Sequence, residues 1–152
     1  MGLKDPVLSA IDDFKGLLDS LKNGEKSKVG ESFRSRCREL PSLIEDTGLV
    51  PALSFCYAKA SKEYGNVRKA LEDGSKIEDD NPMEKGYAIY LYFVLKMLGS
   101  LGLLDESHLS DPIEALREIR GKQRVASRLL RPYLIQLKRL SEAVFESEGE
   151  ES

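Results

Sequence analysis

Apolar residues recur at every third or fourth position along most of the chain, which is the spacing of helices with one buried face. The spacing predicts helices over residues 5–22, 26–45 and 51–65 and one further helical turn at 67–73. Asp5-Pro6 is a strong helix start, since aspartate caps the first turn and proline fits its first position. Thr47-Gly48 is an expected helix end, because glycine readily takes the left-handed conformation.

The second half of the chain predicts three more helices. The most apolar stretch, residues 87–95, lies in a segment that starts at Asn81-Pro82. Tyr, Ile, Phe and Val favour strands, so a buried strand is the rival interpretation there. We favour a buried central helix, because the helical spacing continues to Leu98 and no second strand is available for pairing. A short helix is predicted over 110–120 and a long last one over about 122–145.

These elements predict an all-α fold, a single-domain bundle of five to six helices. The bundle is expected over residues 1–145, with an acidic flexible tail at 146–152. Pro41 lies inside the second helix and Pro132 inside the last one. Proline removes a backbone donor, so we expect Pro41 to kink or divide its helix and Pro132 to bend its own.

Composition fits a soluble globular domain rather than a membrane or disulfide-rich protein. The 152 residues are 41% hydrophobic and 32% charged, which suffices for a core without disulfides or metals. The longest apolar run is too short to cross a bilayer. Cys37 and Cys56 lack zinc-site spacing and are expected to be small buried hydrophobes. No secretory signal is evident, so a cytoplasmic location is expected.

Charge is segregated along the chain. Residues 26–38 contain five bases and one acid, and residues 117–139 contain eight bases and one acid. These segments carry +4 and +7, so the remaining residues must carry −14 to give the net charge of −3. Such segregation predicts one face that is suited to a polyanion.

The last predicted helix carries many of these bases on one side. At about 100° per residue, five bases share an arc of about 100°. They are Arg124, Arg128, Arg131, Lys138 and Arg139. The opposite arc contains the apolar residues that are expected to face the core: Val125, Leu129, Tyr133, Leu137, Leu140 and Val144. No acid lies between Arg120 and Arg139.

A solvated amphipathic helix is the ordinary explanation of such spacing. Solvated helices, however, usually mix Glu with Lys or Arg to form i,i+4 ion pairs. The absence of acids therefore predicts contact with a polyanion. No aromatic side chain is interleaved with these bases, which favours backbone contact over sequence recognition.

The second helix gives weaker support for the same kind of contact. Arg34 and Arg38 lie one turn apart on its polar side. Arg36 points toward the apolar side, where it either reaches solvent past the core or pairs across an interface.

Groups suited to catalysis are few. The single histidine, His108, lies in a loop beside acids, where a solvated or capping role is expected. The acids at 78–80 and at the C-terminus lie in polar segments and look like solubilising surface rather than an acid–base pair. No metal-ligand spacing, phosphate-binding loop or nucleophile elbow is present. The sequence therefore predicts no enzymatic activity, cofactor, metal or small-molecule substrate.

The stretch LPSLIEDTGLVPALSFCYAKA, residues 40–60, resembles the signature of the Cmr small-subunit family of type III-B CRISPR–Cas effector complexes. The resemblance is carried by Leu40-Pro41, Leu43-Ile44, Gly48-Leu49, Leu53, Phe55 and Lys59. The last helix is similar too, at Arg124, Ala126, Tyr133, Leu134, Leu137, Lys138 and Arg139. It departs from the family pattern at Pro132 and in lacking an aromatic near Gln136.

The resemblance implies a non-catalytic helical subunit of an RNA-guided, RNA-targeting complex in antiviral defence. Copies would stack along the complex beside other Cmr subunits, and their basic faces would bind the backbone of guide and target RNA. The predicted RNA-binding residues are Arg124, Arg128, Arg131, Lys138, Arg139, Arg34, Arg38, Lys59, Arg120 and Lys122. The Pro-Gly-Pro punctuation from Pro41 to Pro51 would form a tight corner between two helices.

Two other functions stay open at this point. A helical adaptor could use the basic face for an acidic protein partner, and it would self-associate or bind that partner without RNA. A nuclease would need a metal-carboxylate cluster, for which Asp79 and Asp80 are the candidates.

Overall fold

The most apolar segment forms the central helix α5 (Pro82–Ser100) of the structure, a computed structural model that describes residues 5–148. Every side chain from Lys85 to Leu95 is buried. Helices from the first half of the chain pack around α5, chiefly residues 28–73. The prediction of a central buried helix is confirmed, and the strand alternative for 87–95 is wrong.

The described part contains six other α-helices. They are α1 (Pro6–Ser20), α2 (Lys28–Thr47), α3 (Leu49–Ala60), α4 (Glu63–Asp73), α6 (Pro112–Ile119) and α7 (Gln123–Val144). Short 3-10 turns occupy Gly24–Lys26, Glu106–Ser110 and Arg120–Lys122. Within residues 5–148 the one extended pairing is a single bridge between Leu21 and Ile77. The all-α class is confirmed.

The segment after the α2–α3 corner differs from the sequence prediction. Helix α3 ends at Ala60 rather than at 64–65, because Ser61 takes a left-handed φ of 55°. The expected single turn at 67–73 is the second half of α4, an 11-residue helix. Gly65, where the sequence predicts the end of a helix, lies inside α4. This extra helix is the main departure from the predicted element order.

The internal prolines do not divide their helices. Helix α2 is continuous through Pro41, and α7 is continuous through Pro132. Each proline removes one backbone donor, and the tertiary packing of the helix outweighs that loss. Of the two outcomes expected at Pro41, division of α2 is therefore wrong.

The acidic loop before α5 stabilises the start of α2. The Asp79 carboxylate accepts hydrogen bonds from the backbone N–H groups of Val29 (3.0 Å) and Lys28 (3.2 Å), and from the side chains of Ser27 and Asn23. Burial opposes the charged form of Asp79, but these donors outweigh it and lower its pKa. Asp79 is thus a helix cap contributed from a distant loop, not solubilising surface.

The neighbours of Asp79 fix the same loop. The buried ammonium of Lys85 pairs with Asp80 and donates to the backbone carbonyl of Glu78 at 3.0 Å. The Glu78 carboxylate in turn lies 2.9 Å from the ammonium of Lys22. These contacts tie the loop to the bundle on both sides.

Helices α2 and α5 approach closely at Gly86. A Cβ atom added to Gly86 would overlap the hydroxyl of Ser32, and would lie 2.8 Å from its Cβ and 3.0 Å from its carbonyl carbon. Only a residue without a side chain allows this distance between the two helices.

The end of the described chain packs against the bundle. The Phe145 ring is buried, 5.6 Å from the ring of Phe14 between centroids. Beyond it, Ser147 accepts a hydrogen bond from Arg34, and the Glu148 carboxylate lies 3.3 Å from Arg36. The tail predicted at 146–152 continues past the described residues at 148.

Candidate nucleic-acid interface

Helix α7 has one buried and one basic side. Its buried residues are Ala126, Leu130, Tyr133, Leu134, Leu137 and Ser141. The five cations on its opposite side are all exposed, and we call them the basic stripe: Arg124, Arg128, Arg131, Lys138 and Arg139. The structure therefore gathers these cations on one outer surface instead of scattering them.

The buried arc of α7 is rotated relative to the predicted one. Tyr133 and Leu137 are buried as expected, and the Tyr133 hydroxyl donates to Asp13 of α1 at 2.6 Å. Four residues expected in the core are only half-buried: Val125, Leu129, Leu140 and Val144. The prediction considered large apolar residues only. The structure also buries the small side chains of Ala126 and Ser141, so the buried side of α7 is turned toward them.

The stripe cations have no acidic partner in the part of the chain that the structure describes. Within residues 5–148, none of the five makes an ion pair or a side-chain hydrogen bond. The nearest acids along the chain have other partners: Glu118 binds Lys122 at 2.9 Å, and Glu142 lies 3.6 Å from Arg38. Repulsion within the stripe is therefore not compensated by these carboxylates.

The stripe forms one wall of a groove of about 820 Å³ between α7 and the α2–α3 corner. Four of its cations line the groove: Arg124, Arg128, Arg131 and Lys138. Apolar side chains line much of the rest: Pro41, Ile44, Leu49, Pro51, Leu134 and Ile135. Among the described residues that line it, only Glu45 is acidic. The groove combines an apolar floor with a positively charged wall.

The Pro-Gly-Pro corner builds this groove. Gly48 joins α2 to α3 with a φ of 99°, a conformation that disfavours side chains. The side-chain oxygen of Gln123, at the start of α7, accepts a hydrogen bond from the backbone N–H of Val50 at 2.8 Å. The corner and the stripe are therefore fixed to each other across the groove.

Arg36 of α2 is a buried structural cation. Its guanidinium lies 3.0 Å from Glu39 and 3.3 Å from Glu148. Its central carbon also lies 4.4 Å from the centroid of the Tyr87 ring. Of the two roles that the sequence allows, reaching solvent and pairing, the structure shows pairing, and the partners belong to the same chain.

The predicted contacts Arg34 and Arg38 also have partners in this chain. Half-buried Arg34 donates to the Ser147 hydroxyl, and exposed Arg38 lies 3.6 Å from Glu142. An exposed ion pair of this kind is weak, about 0–1 kcal/mol, so Arg38 can exchange its partner for a phosphate. These two arginines are set apart from the unpaired stripe.

The remaining predicted contacts lie on either side of the stripe. Arg120 and Lys122 belong to the 3-10 turn that precedes α7, and Lys122 is paired with Glu118. Lys59 is exposed on α3, with its ammonium 5.5 Å from the Phe55 ring centroid.

Two exposed apolar residues near this surface escaped the sequence analysis. Ile135 is 42% exposed, and about 100° per residue places it among the stripe cations. Phe55 is 40% exposed on the outer side of α3. The helical wheel already contained the signal for Ile135, whereas α3 is apolar almost all round and gave no indication of which side faces solvent.

Other reactive groups have structural roles. The His108 Nδ1 accepts a hydrogen bond from the backbone N–H of Asp105 at 3.0 Å, which confirms the predicted capping role. Cys37 and Cys56 are buried, and burial raises the pKa of both thiols. Among residues 5–148, no group of three potential ligands could hold a metal ion.

None of the helices between residues 5 and 148 is both long and apolar enough to cross a membrane.

Comparison with known families identifies the family of this chain. The family model described as CRISPR-associated protein (Cas_Cmr5) matches residues 12–144, which includes the corner, the groove and the stripe. The chain belongs to the Cmr5 family. The resemblance to the Cmr small-subunit family is thereby confirmed.

Individual Cmr5 relatives and solved structures agree with this membership. The CRISPR system CMR subunit Cmr5 of Saccharolobus solfataricus is 26% identical over 133 residues, 82% of this chain and 85% of the relative. A chain of the cryo-EM structure of the Type III-B Cmr-beta bound to cognate target RNA and AMPPnP superposes with a TM-score of 0.78, at 22% identity over 93% of this chain and 97% of the other. A chain of the cryo-EM structure of the type III-B Cmr-beta complex bound to non-cognate target RNA superposes with a TM-score of 0.82. Its sequence identity is 23%, over 95% of this chain and 98% of the other. These structures share the Cmr5 fold.

Proposed function

We propose that this Cmr5 family member is a non-catalytic, cytoplasmic subunit of a type III-B Cmr complex and binds the backbone of guide and target RNA through the basic stripe. Copies of the chain would stack along the complex beside other Cmr subunits. Family membership and the shared fold with chains of RNA-bound Cmr-beta complexes support the assignment to such an assembly.

The observation that carries the RNA-binding proposal is the unpaired state of the stripe. Five exposed cations share one side of α7 without an acidic partner in the described chain. Arginine and lysine bind phosphate oxygens through charge-assisted hydrogen bonds, and such contacts carry no sequence information. A phosphate chain that passes along α7 would relieve the repulsion among these cations.

Counterion release gives this proposal a quantitative form. Each phosphate neutralised on a single strand contributes a slope of about −0.7 to a plot of log K against log salt concentration. Five contacts therefore predict a slope of about −3.5, which is about a 100-fold loss of affinity between 50 and 200 mM salt.

The test is a fluorescence-anisotropy titration of two labelled single-stranded RNAs of unrelated sequence at four salt concentrations. We expect a slope of about −3.5 and affinities within about threefold of each other for the two sequences. A slope near zero, or binding of only one of the two sequences, would contradict the proposal.

A second candidate function, a helical adaptor for an acidic protein partner, is favoured by one observation. The groove exposes Ile135 and Pro51 beside the cations, and exposed apolar surface often marks a protein contact. Light scattering beside a mobility-shift assay separates the two functions. Self-association without an RNA shift would support the adaptor, whereas an RNA shift by the monomer supports backbone binding.

A further inference from the structure

Phe55 is an aromatic side chain directed away from the core. The residue is 40% exposed on α3, although most large hydrophobic residues of the described chain are buried. No acid occurs between residues 47 and 62, so the outer side of α3 does not repel a polyanion through its own charges.

The Phe55 ring is held in a fixed orientation by a buried neighbour. It meets the Tyr87 ring edge to face, with centroids 5.6 Å apart and an interplanar angle of 84°. Tyr87 is itself fixed, because its hydroxyl donates to Glu39 at 2.8 Å and Arg36 lies over its ring. A ring ordered before binding loses little conformational entropy when a ligand stacks on it.

A lysine stands beside the ring, one helical turn further along α3. The Lys59 ammonium lies 5.5 Å from the Phe55 centroid, on an exposed side chain. Such an exposed cation–π contact contributes a factor of roughly 2 to 5, whereas stacking of a nucleic-acid base contributes roughly 5- to 100-fold. A base can therefore take the place of the ammonium, which is then free to bind the adjoining phosphate.

The ring lies one helical turn beyond a residue that lines the groove. Pro51, Phe55 and Lys59 are spaced four residues apart, so they lie on the same side of α3. Pro51 also lines the groove, whose other wall contains Arg124 and Arg128. A strand that leaves the stripe across the groove reaches Phe55 one helical turn beyond Pro51.

We propose that Phe55 is a stacking platform for an unpaired nucleobase of the bound RNA, with Lys59 on the phosphate next to it. The inference rests on the proposed RNA-binding function and adds a base contact to a surface otherwise suited to backbone alone. It requires a single-stranded or extruded nucleotide, because paired bases do not expose their faces.

Three substitutions at one position test it. Stacking needs an aromatic face, so Phe55→Ala and Phe55→Leu should each weaken single-stranded RNA binding about 10-fold, whereas Phe55→Trp should retain it. The salt slope should stay unchanged in all three, since no charge is altered. Ile113→Ala, at an apolar residue 67% exposed on α6, is the matched control and should bind as wild type does.

The outcomes separate this inference from the function on which it rests. If wild type binds with a steep salt slope and Phe55→Leu binds equally well, stacking is overturned and backbone binding stands. The same conclusion follows if Phe55→Ala binds RNA more weakly and Phe55→Leu binds it as wild type does. Leucine would then preserve an apolar contact that needs no aromatic face, as expected at a protein-docking surface. If wild type shows no salt-dependent RNA binding, both proposals are overturned. Circular dichroism confirms folding in each variant.

Discussion

Reversal of the charge at Arg124, Arg128 and Arg131 to Glu is expected to weaken RNA binding at least about 100-fold at 0.1 M salt. Each reversal replaces an attraction to phosphate by a repulsion, and each such term is about 1 kcal/mol even in water. The fold should persist, because these side chains are exposed and have no partner in the described chain to lose. Anisotropy with labelled RNA measures the affinity, and thermal unfolding checks the fold.

A matched control separates local contact from total charge. Lys15, Lys26 and Lys69 are also exposed, and none of them belongs to the stripe or lines the groove. Their change to Glu lowers the net charge from −3 to −9, as the stripe reversal does. We expect this control to lose less than about fivefold in affinity, since distant charges are screened beyond about 10 Å at this salt. Equal losses in the two triple variants would show that net charge, rather than the stripe, governs binding.

Gly86→Ala is expected to destabilise the bundle by about 2 kcal/mol, although alanine is the better helix former. Its methyl group would overlap Ser32 of α2 where the two most buried helices of the core meet. Overpacking of this kind costs about 1–3 kcal/mol and exceeds the gain of up to about 1 kcal/mol from helix propensity. For a domain of this size the melting temperature should fall by about 4–8 °C, as measured by circular dichroism.

Two further variants make this prediction specific. Gly65 lies inside α4 with open space around its Cα, so Gly65→Ala should raise stability by up to about 1 kcal/mol. Ser32→Ala removes the nearest clashing atom, a buried hydroxyl without a hydrogen-bond partner in the described part, and should restore part of the stability of Gly86→Ala. A Gly86→Ala protein as stable as wild type would mean that α2 and α5 separate easily.

The elements with strong local signals could be predicted from the sequence. The Asp5 cap, the all-round apolar α5 and the amphipathic α7 each follow from periodicity or end chemistry, and the structure contains all three. The end of α3 could not be found this way, since Ser61 is not a typical helix-ending residue. Its positive φ of 55° is uncommon for a residue other than glycine, so local preference gives no sign of it.

Features that depend on contacts between distant parts of the chain could not be predicted from local sequence patterns either. Asp79 caps α2 from 50 residues away, and in the sequence it looks like one more acid in a polar loop. The groove depends on the contact between Val50 and Gln123, which are 73 residues apart. The stripe itself was predictable because one helix carries all of it. The apolar floor of the groove was not predictable, because residues of α2, α3 and α7 form it together.

The partners of the α2 arginines show the same limit. The sequence places Arg34 and Arg38 on a polar side, where they look like the stripe cations. The structure brings Ser147 and Glu142 of the chain's C-terminal region to them, 113 residues from Arg34 in the case of Ser147. Contact with RNA at these positions requires exchange of existing partners, so we expect the stripe to dominate the salt dependence.

The most direct test of the stripe is the salt slope of a neutralised variant. Changing Arg124, Arg128 and Arg131 to Gln removes three positive charges without adding repulsion. The slope of log K against log salt for single-stranded RNA should become less steep by about 2.1, from about −3.5 to about −1.4 for the stripe alone, because three of its five cations no longer neutralise phosphates. An unchanged slope in the folded variant would show that RNA does not bind to these arginines, and would contradict the assignment of the stripe as the RNA-binding surface.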